Sequence, residues 1–200
     1  MSLIKIGISG AKGSFSEEAA RSYVRKHAIK QYSLVYLISV ENVLRALERG
    51  AIALGIFPIE NSIGGVVIEA VHAMAKHRFH VKELFDIDIH QNLLARQGVA
   101  AKSIRMITSH DQAIKQCRRY LKRRWPRVKL REYADTAKAA QDLARGTLPA
   151  STAVIASAIA AQMYGLKIIG RSIQDQKKNY TSFIAAKKYS ARGTRRSHPR

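Results

Sequence analysis

The sequence predicts an α/β fold of two lobes, and three observations support that prediction. Segments with strand periodicity alternate with segments of helical periodicity along the chain, which is typical of largely parallel sheets covered by helices. The alternation restarts after Gly98, as expected for a second unit. A length of 200 residues with 46% hydrophobic content is enough for a real core or for two small lobes.

The first half of the chain shows a regular order of elements. Ser14 and Glu17 have the spacing of a capping box, which predicts the start of a helix, and Gly50 is placed to close the second helix. Pro58 is expected to stop the third strand. The predicted elements are a strand over 3–9, a helix over 16–27, a strand over 33–39, a helix over 40–50, a strand over 51–60, a helix over 66–78 and one or two strands within 79–96.

The second half repeats the pattern. Its predicted elements are a strand over 104–109, a helix over 110–124, a strand over 128–134, a helix over 135–146, a short strand around 151–154, a small-residue helix over 152–165, and strands over 167–175 and 181–189. We therefore assign residues 1–78 and 167–189 to lobe 1 and residues 79–166 to lobe 2. The basic tail, 190–200, is expected to be disordered.

Composition narrows the class of protein. The single cysteine, Cys117, rules out an internal disulfide framework and a cysteine-rich zinc site, and it favours a reducing compartment such as the cytoplasm. The first residues contain no long apolar core and no cleavage-like site, so a signal peptide is not expected. No run approaches the roughly 18 apolar residues that cross a membrane. The net charge is +21, but the densest basic run, 117–131, has the spacing of an amphipathic helix. No nucleic-acid motif accompanies it, so specific nucleic-acid binding is not expected.

Polar residues cluster where predicted strands meet helices, the place where α/β folds bind ligands. Ser14 and Phe15 follow a glycine-containing turn without the spacing of a P-loop or dinucleotide motif, so a plain helix cap is an open alternative. The run Glu60-Asn61-Ser62 follows the third strand. It forms either a small-ligand site or a turn that bonds its own backbone.

Two further clusters lie in the second half. Ser109 precedes a predicted helix whose first turn contains His110 and Gln112. A neutral imidazole there could donate a hydrogen bond to an anion, with an N-cap and a structural histidine as the alternatives. Asn179 and Thr181 present an amide and a hydroxyl where the last strand begins. These side chains either face a cleft or bond within the sheet.

In this order, the segments GSFSEEAA, PIENSIGG, SHDQAIKQC, STAVIASAIAAQMYGL and IQDQKKNYTSF resemble the prephenate dehydratase family, over about residues 3–188. The resemblance implies a two-lobed fold similar to periplasmic binding proteins, with the active site in the cleft between the lobes. It implies conversion of prephenate to phenylpyruvate, with loss of water and carbon dioxide, for phenylalanine biosynthesis. It implies no metal or organic cofactor, and homodimers or higher homo-oligomers. Because the chain ends about where the family's regulatory ACT domain would start, feedback inhibition through that domain is not expected.

The resemblance also implies roles for single residues. Thr181 matches the family's essential threonine, the donor to the leaving hydroxyl, and Asn179, Ser109 or His110 would polarise it. We therefore take Thr181, Asn179 and His110 as the catalytic candidates. The residues expected to bind the substrate are Ser14, Phe15, Glu60, Asn61, Ser62, Ser109, Gln112 and Phe183.

Three positions depart from the family pattern. Ser182 stands where the family has arginine, His72 where it usually has aspartate, and Asp111 where it usually has proline. Serine cannot replace a bidentate guanidinium. Ser182 therefore leaves two alternatives open: an arogenate dehydratase or related cyclohexadienyl lyase, and a non-catalytic module that binds an aromatic-pathway anion.

Overall fold

The computed structural model describes residues 3–190, and the first lobe is built on a mixed sheet of six strands. These strands are β1 (Ile4–Ile8), β2 (Tyr32–Tyr36), β3 (Leu54–Asn61), β4 (Gly65–Val66), β5 (Phe79–Asp88) and β11 (Tyr180–Lys188). Their order is β2-β1-β3-β11-β5, and β4 pairs with the end of β3. β1 is parallel to β2 and β3, whereas β11 runs antiparallel between β3 and β5.

Three helices cover this sheet: α1 (Phe15–Lys26), α2 (Val40–Glu48) and α3 (Ile68–Lys76). One core lies between α1 and the sheet face that holds Ile8 and Phe183, and a second lies between α2, α3 and the opposite face. The predicted cap of α1 is present, because Ser14 Oγ accepts from the backbone N–H of Glu17. The Glu17 carboxylate in turn accepts from the N–H of Gly13, which holds the preceding turn against the helix.

The second lobe contains a mixed sheet of five strands in the order β10-β6-β9-β7-β8. These strands are β6 (Asn92–Ala95), β7 (Met106–Ser109), β8 (Lys129–Glu132), β9 (Thr152–Ala156) and β10 (Lys167–Gly170). The helices are α4 (Asp111–Gln116), α5 (Arg118–Arg124), α6 (Thr136–Arg145) and α7 (Ala158–Tyr164), with one 3-10 turn at Ala101–Ser103. α4 and α5 cover one face, and α6 and α7 cover the other.

The predicted class, two α/β lobes with flanking helices, is confirmed, but two strands belong to the other lobe. β5 falls in the range 79–166 that was assigned to lobe 2, yet it pairs along β11 in the first sheet. β10 falls in the range 167–189 that was assigned to lobe 1, yet it pairs with β6 in the second sheet. Local periodicity does not choose between partners that are distant in sequence, so the boundaries needed the tertiary structure. Apart from Ser190, the predicted disordered tail, 190–200, lies outside the described residues.

Two predicted helices are also shorter than expected. The helix predicted over 110–124 is interrupted at Cys117, because the Asp175 carboxylate accepts from the N–H groups of Arg119 and Tyr120 and starts α5 afresh. The short strand predicted around 151–154 is present as Thr152–Ala156, in which every residue is buried, and the helix predicted over 152–165 begins only after Ser157. A short apolar run buried on both faces lacks the alternation that would distinguish a strand from a helix.

β3 continues through Pro58 to Asn61 instead of stopping at the proline. Pairing with β11 shifts register at this point, since Ser182 opposes Glu60 while Phe183 opposes Pro58. A proline without an N–H is tolerated at such a bulge. The consequence is that Asn61 is held on a strand, directly opposite Thr181.

Two segments, 89–91 and 171–179, cross between the lobes side by side. The N–H of Ile89 donates to the carbonyl of Asn179 at 2.7 Å, and the N–H of Ile173 donates to the carbonyl of Gln91 at 2.8 Å. The crossing segments therefore form a paired connection. Both side chains that matter most at this connection, Gln91 and Asn179, are buried.

Candidate active site

A cleft of about 740 Å³ lies between the lobes beside the crossing segments. Both lobes contribute to its lining. The sequence-predicted residues that line it are Ser14, Phe15, Asn61, His110, Gln112, Thr181 and Phe183. The sheet edge of the first lobe thus brings together residues from both ends of the chain.

Thr181 presents its hydroxyl to this cleft from the start of β11. Its neighbours in register are Asn61 on β3 and Ile87 on β5, and the residue is only 8% exposed. Thr181 Oγ1 accepts a hydrogen bond from Asn61 Nδ2 at 2.9 Å. Because the oxygen is the acceptor in this bond, the hydroxyl proton remains available to a ligand, and the bond makes that proton easier to donate.

The orientation of the Asn61 amide is set by the backbone. Asn61 Oδ1 accepts from the N–H groups of Ile63 and Gly64 at 3.1 and 2.8 Å. Backbone N–H groups can only donate, so the amide nitrogen must point toward β11. There it lies 3.0 Å from both Asn179 Oδ1 and the Tyr180 carbonyl, in addition to Thr181 Oγ1.

The orientation of the Asn61 amide also fixes the orientation of the side-chain amides that are hydrogen-bonded in series beyond it, into the second lobe. Asn179 Oδ1 is occupied by Asn61, so its nitrogen donates to Gln116 Oε1 at 3.2 Å. Gln91 Nε2 donates to the same oxygen at 3.0 Å. A connected network of side chains therefore runs from Thr181 through the crossing segments to α4.

Gln116 and Gln91 are absent from the sequence-predicted set, although both line the cleft. One signal for Gln116 was available, because it lies four residues after Gln112 on one face of α4. Gln91 had no such signal. Its position beside Gln116 depends on the crossing of the chain between the lobes.

His110 and Gln112 face the cleft from the second lobe. His110 Nδ1 accepts from the N–H of Gln112 at 3.3 Å, so the neutral ring has its proton on Nε2 and is a donor there. Gln112 approaches the turn of the first lobe so closely that a Cβ built on Gly64 would lie 3.2 Å from Gln112 Nε2. The two lobes are in close approach here, and a Cβ at position 64 would require the Gln112 side chain to shift by a few tenths of an ångström.

Ser14, Phe15 and Phe183 form the wall on the side of α1. Ser14 Oγ accepts from Glu17 N, so its own proton is available to a ligand. Phe183 is 1% exposed and stacks on Phe85 with ring centroids 6.0 Å apart. The wall therefore combines one hydroxyl donor with two aromatic rings.

Four predicted site residues do not line the cleft. Ser109 is fully buried and donates to the carbonyl of Ile155 at 2.6 Å, so its hydroxyl serves the sheet. Glu60 is exposed, because the alternation of β3 turns it away from Asn61. Ser62 Oγ accepts from the Tyr180 N–H and fixes the turn. Asn179 lies behind Asn61, and the direct partner of Thr181 is Asn61, not Asn179, Ser109 or His110.

Two of the departures from the family pattern also lie off the cleft. Ser182 Oγ donates to Asp86 Oδ1 at 2.6 Å on the opposite face of the sheet from Thr181. Ser182 also opposes Glu60 in register, so an arginine at this position would meet carboxylates of the sheet. His72 is exposed on α3 and is not among the lining residues.

The cleft is also lined by three residues at the start of α6 that the sequence analysis did not predict: Asp135, Thr136 and Lys138.

Within residues 3–190, no group of three histidine, cysteine, aspartate or glutamate side chains could hold a metal ion. No helix in the same range is long and apolar enough to cross a membrane.

The profile of the family described as prephenate dehydratase matches residues 6–191. The chain belongs to the prephenate dehydratase family. Arogenate dehydratase 5 from Arabidopsis thaliana is 33% identical over 186 residues, which are 92% of this chain and 42% of that protein. The bifunctional chorismate mutase/prephenate dehydratase of Stutzerimonas stutzeri is 29% identical over 90% of this chain and 48% of its own.

A solved structure agrees with this assignment. The prephenate dehydratase from Arthrobacter aurescens in complex with L-Phe superposes with a TM-score of 0.82 at 26% identity, over 94% of this chain and 61% of that one. The chain spans less than half the length of the curated relatives it matches. The cleft described above therefore belongs to a dehydratase domain of this family.

Proposed function

We propose that this domain catalyses the decarboxylating dehydration of prephenate to phenylpyruvate. The observation that supports this most directly is the Thr181 hydroxyl in the cleft, which accepts from Asn61 at 2.9 Å and keeps its own proton for a ligand. The family membership gives the class of reaction, and the side chains of the cleft supply the roles that the reaction needs.

Binding requires donors for a carboxylate and a surface for the ring. His110 Nε2, the Gln112 amide and the Ser14 hydroxyl are donors on the cleft wall, and Phe15 offers aromatic surface, with the buried Phe183 also in the lining. Of these groups, the His110 ring and the Ser14 hydroxyl are each held by a hydrogen bond from a backbone N–H. The wall would hold the pyruvyl carboxylate and the cyclohexadiene ring without rearrangement of these two groups.

Elimination requires a proton for the departing hydroxyl. Thr181 would donate it, while Asn61 stabilises the charge that develops on the threonine oxygen. The ring carboxylate leaves as carbon dioxide, and the electron pair of the broken carbon–carbon bond enters the ring as it becomes aromatic. Pro58, Val67 and Ile89 line the cleft and would leave that carboxylate poorly solvated.

A second candidate substrate is arogenate, and the match to arogenate dehydratases favours it. The third alternative, a non-catalytic binding module, was suggested by Ser182. Because Ser182 bonds to Asp86 away from the cleft, this residue no longer supports a non-catalytic module.

We also propose a homodimer or higher homo-oligomer. Exposed apolar side chains support it: Ile68 and Val71 on α3, and Val81 and Leu84 on the edge strand β5.

The test compares two threonine-to-valine variants with the wild type, using prephenate and the absorbance of phenylpyruvate in alkali. Thr181→Val should lower kcat by about 10²–10⁴-fold, and Thr181→Ser should keep most of the activity. Thr152→Val is the matched control, because Thr152 is fully buried in β9 and its Oγ1 has no hydrogen-bond partner to lose. Absence of turnover by the wild type, or equal kcat for the two valine variants, would refute the proposal.

A further inference from the structure

The network of side-chain amides in the cleft has two different ends. At one end, Thr181 Oγ1 accepts from Asn61 Nδ2, which leaves the hydroxyl proton of Thr181 free to be donated. At the other end, Gln91 Nε2 donates to Gln116 Oε1 at 3.0 Å, which leaves Gln91 Oε1 as an acceptor. Thr181 and Gln91 both line the cleft, so the two ends of the network are one donor and one acceptor on its wall.

The orientation of the Gln91 amide follows from the rest of the network. Asn61 fixes the amide of Asn179, whose nitrogen donates to Gln116 Oε1 at 3.2 Å. Gln116 Oε1 is therefore an acceptor, and Gln91 can approach it only with its own nitrogen. The flipped amide of Gln91 is excluded, because two oxygens would then face each other.

Gln91 Oε1 has no hydrogen-bond partner of its own. Within residues 3–190 no donor reaches this buried atom, and the residue is only 4% exposed. The backbone holds the residue in place, since the Gln91 N–H donates to Gln174 Oε1 at 3.0 Å and the Gln91 carbonyl accepts from the Ile173 N–H at 2.8 Å. A buried acceptor without a donor is unfavourable, so a recessed acceptor in the wall of a cleft favours a ligand that brings a donor.

The proposed substrate has a single donor of this kind. The two carboxylates and the keto oxygen of prephenate only accept hydrogen bonds, and the ring hydroxyl is its one group with a hydrogen to donate. Phenylpyruvate has lost this hydroxyl, and its keto form has no donor. An unpaired acceptor in the cleft therefore distinguishes the substrate from the product.

We propose that Gln91 is a specificity-determining residue, whose Oε1 accepts a hydrogen bond from the ring hydroxyl of the substrate while Thr181 donates to the oxygen of the same hydroxyl. The inference rests on the proposed dehydration and adds no step to it. The bond to Gln91 strengthens as the hydroxyl takes the proton from Thr181, because the departing water is the better donor. Once the water has left, the product covers the acceptor without bonding to it, which weakens the binding of phenylpyruvate.

The experiment measures kcat/KM for prephenate and, by isothermal titration calorimetry, the Kd for phenylpyruvate, with the wild type and with Gln91→Met. Methionine is also unbranched and has no amide. We expect kcat/KM to fall by about 10- to 100-fold, because the ring hydroxyl loses its acceptor. The Kd for phenylpyruvate should fall by about 3- to 10-fold, because the product no longer covers an unpaired oxygen.

Gln174→Met is the matched control. It removes the amide that accepts from the Gln91 N–H in the same crossing segments, and Gln174 is not among the lining residues. Its Tm should fall, while kcat/KM and Kd stay within about threefold of the wild type. Thermal unfolding checks that each variant is folded, and Gln91→Leu, which also lacks the acceptor, repeats the test if Gln91→Met does not fold.

The outcomes separate this inference from the proposed function. A wild type that does not turn over prephenate overturns the proposed function and this inference with it. If the wild type is active, the inference alone is overturned when Gln91→Met gains no affinity for phenylpyruvate, or loses no more activity on prephenate than Gln174→Met. A loss on prephenate together with a gain of affinity for phenylpyruvate supports the inference, since a merely structural role would weaken both.

Discussion

Replacing Asn61 by aspartate is expected to lower the activity strongly and the stability of the fold only slightly. The variant keeps the shape of the side chain, and one oxygen still accepts from the N–H groups of Ile63 and Gly64. The other oxygen takes the place of the nitrogen that donates to Thr181 Oγ1 at 2.9 Å. An acceptor at this position makes Thr181 donate its proton to the new carboxylate. The proton is then no longer available to the leaving hydroxyl.

The expected loss of activity is large. Removing a positioned proton donor lowers kcat by about 10²–10⁴-fold, and we expect Asn61→Asp to fall in this range. The added negative charge also repels an anionic substrate, so KM should rise with the fall in kcat. The combined effect on kcat/KM is thus at least about 10²-fold.

The expected loss of stability is small, because the amide chain can invert. Asn179 can rotate to donate to the new carboxylate, and Gln116 can then donate to Asn179 and Gln91 across the present distances of 3.2 and 3.0 Å. The bond to the Tyr180 carbonyl is lost without replacement, and that carbonyl then faces a carboxylate oxygen. The lost bond is worth about 1 kcal/mol, or roughly 2–4 °C in Tm for a chain of this size, and the repulsion between the two oxygens adds to this loss.

The assay pairs initial rates on prephenate and arogenate with thermal unfolding. Ser62→Ala is the control from the same turn, because it removes the acceptor of the Tyr180 N–H without touching the cleft. Its Tm should fall by a similar amount while kcat stays within about threefold of the wild type. If Asn61→Asp retained kcat at the level of Ser62→Ala, the argument that Asn61 polarises Thr181 would be wrong.

Two further predictions concern residues outside the cleft. Ser182→Arg should change kcat/KM by less than about fivefold on either substrate, because the new guanidinium would pair with Asp86 or Glu60 at a partly exposed site; a tenfold gain or loss would show that it reaches the ligand. Desolvation on its own lowers the pKa of His77, but hydrogen bonding to Glu41 and Glu48 outweighs it and raises that pKa above 6.5. A raised pKa in the folded state gives stability that is complete below 6.5 and is lost as pH rises through the folded pKa, so the free energy of unfolding should fall over that window. His77→Gln should reduce this dependence of the free energy of unfolding on pH, measured by urea unfolding. The same dependence in the variant and the wild type would contradict the role assigned to His77.

Much of the fold could be predicted because its signals are local. The cap of α1 depends on Ser14 and Glu17, three residues apart, and the structure contains it. The strands and helices whose alternation indicates two α/β units are likewise set by patterns of a few residues. Boundaries are wrong where local patterns are ambiguous, as in Thr152–Ala156, where the predicted helix overlaps a predicted short strand and only the strand forms.

The candidate site could be predicted only in part, because a polar residue at a strand end has several uses. Ser109 and Thr181 look alike in sequence, yet Ser109 bonds to the carbonyl of Ile155 while Thr181 faces the cleft. Glu60 and Asn61 are adjacent, and the alternation of β3 sends only Asn61 inward. Which hydroxyl or amide remains free depends on which neighbours the sheet provides.

Local patterns and motifs were enough to predict the α/β class, the two units, the family and the threonine at the start of the last strand. Long-range contacts were needed to assign β5 and β10 to their lobes, to show that Asn61 rather than His110 contacts Thr181, and to place Asp135 in the lining of the cleft. The reason is the separation of the partners along the chain. Asn61 and Thr181 are 120 residues apart, and their contact arises from antiparallel pairing of β3 with β11, which no local periodicity encodes.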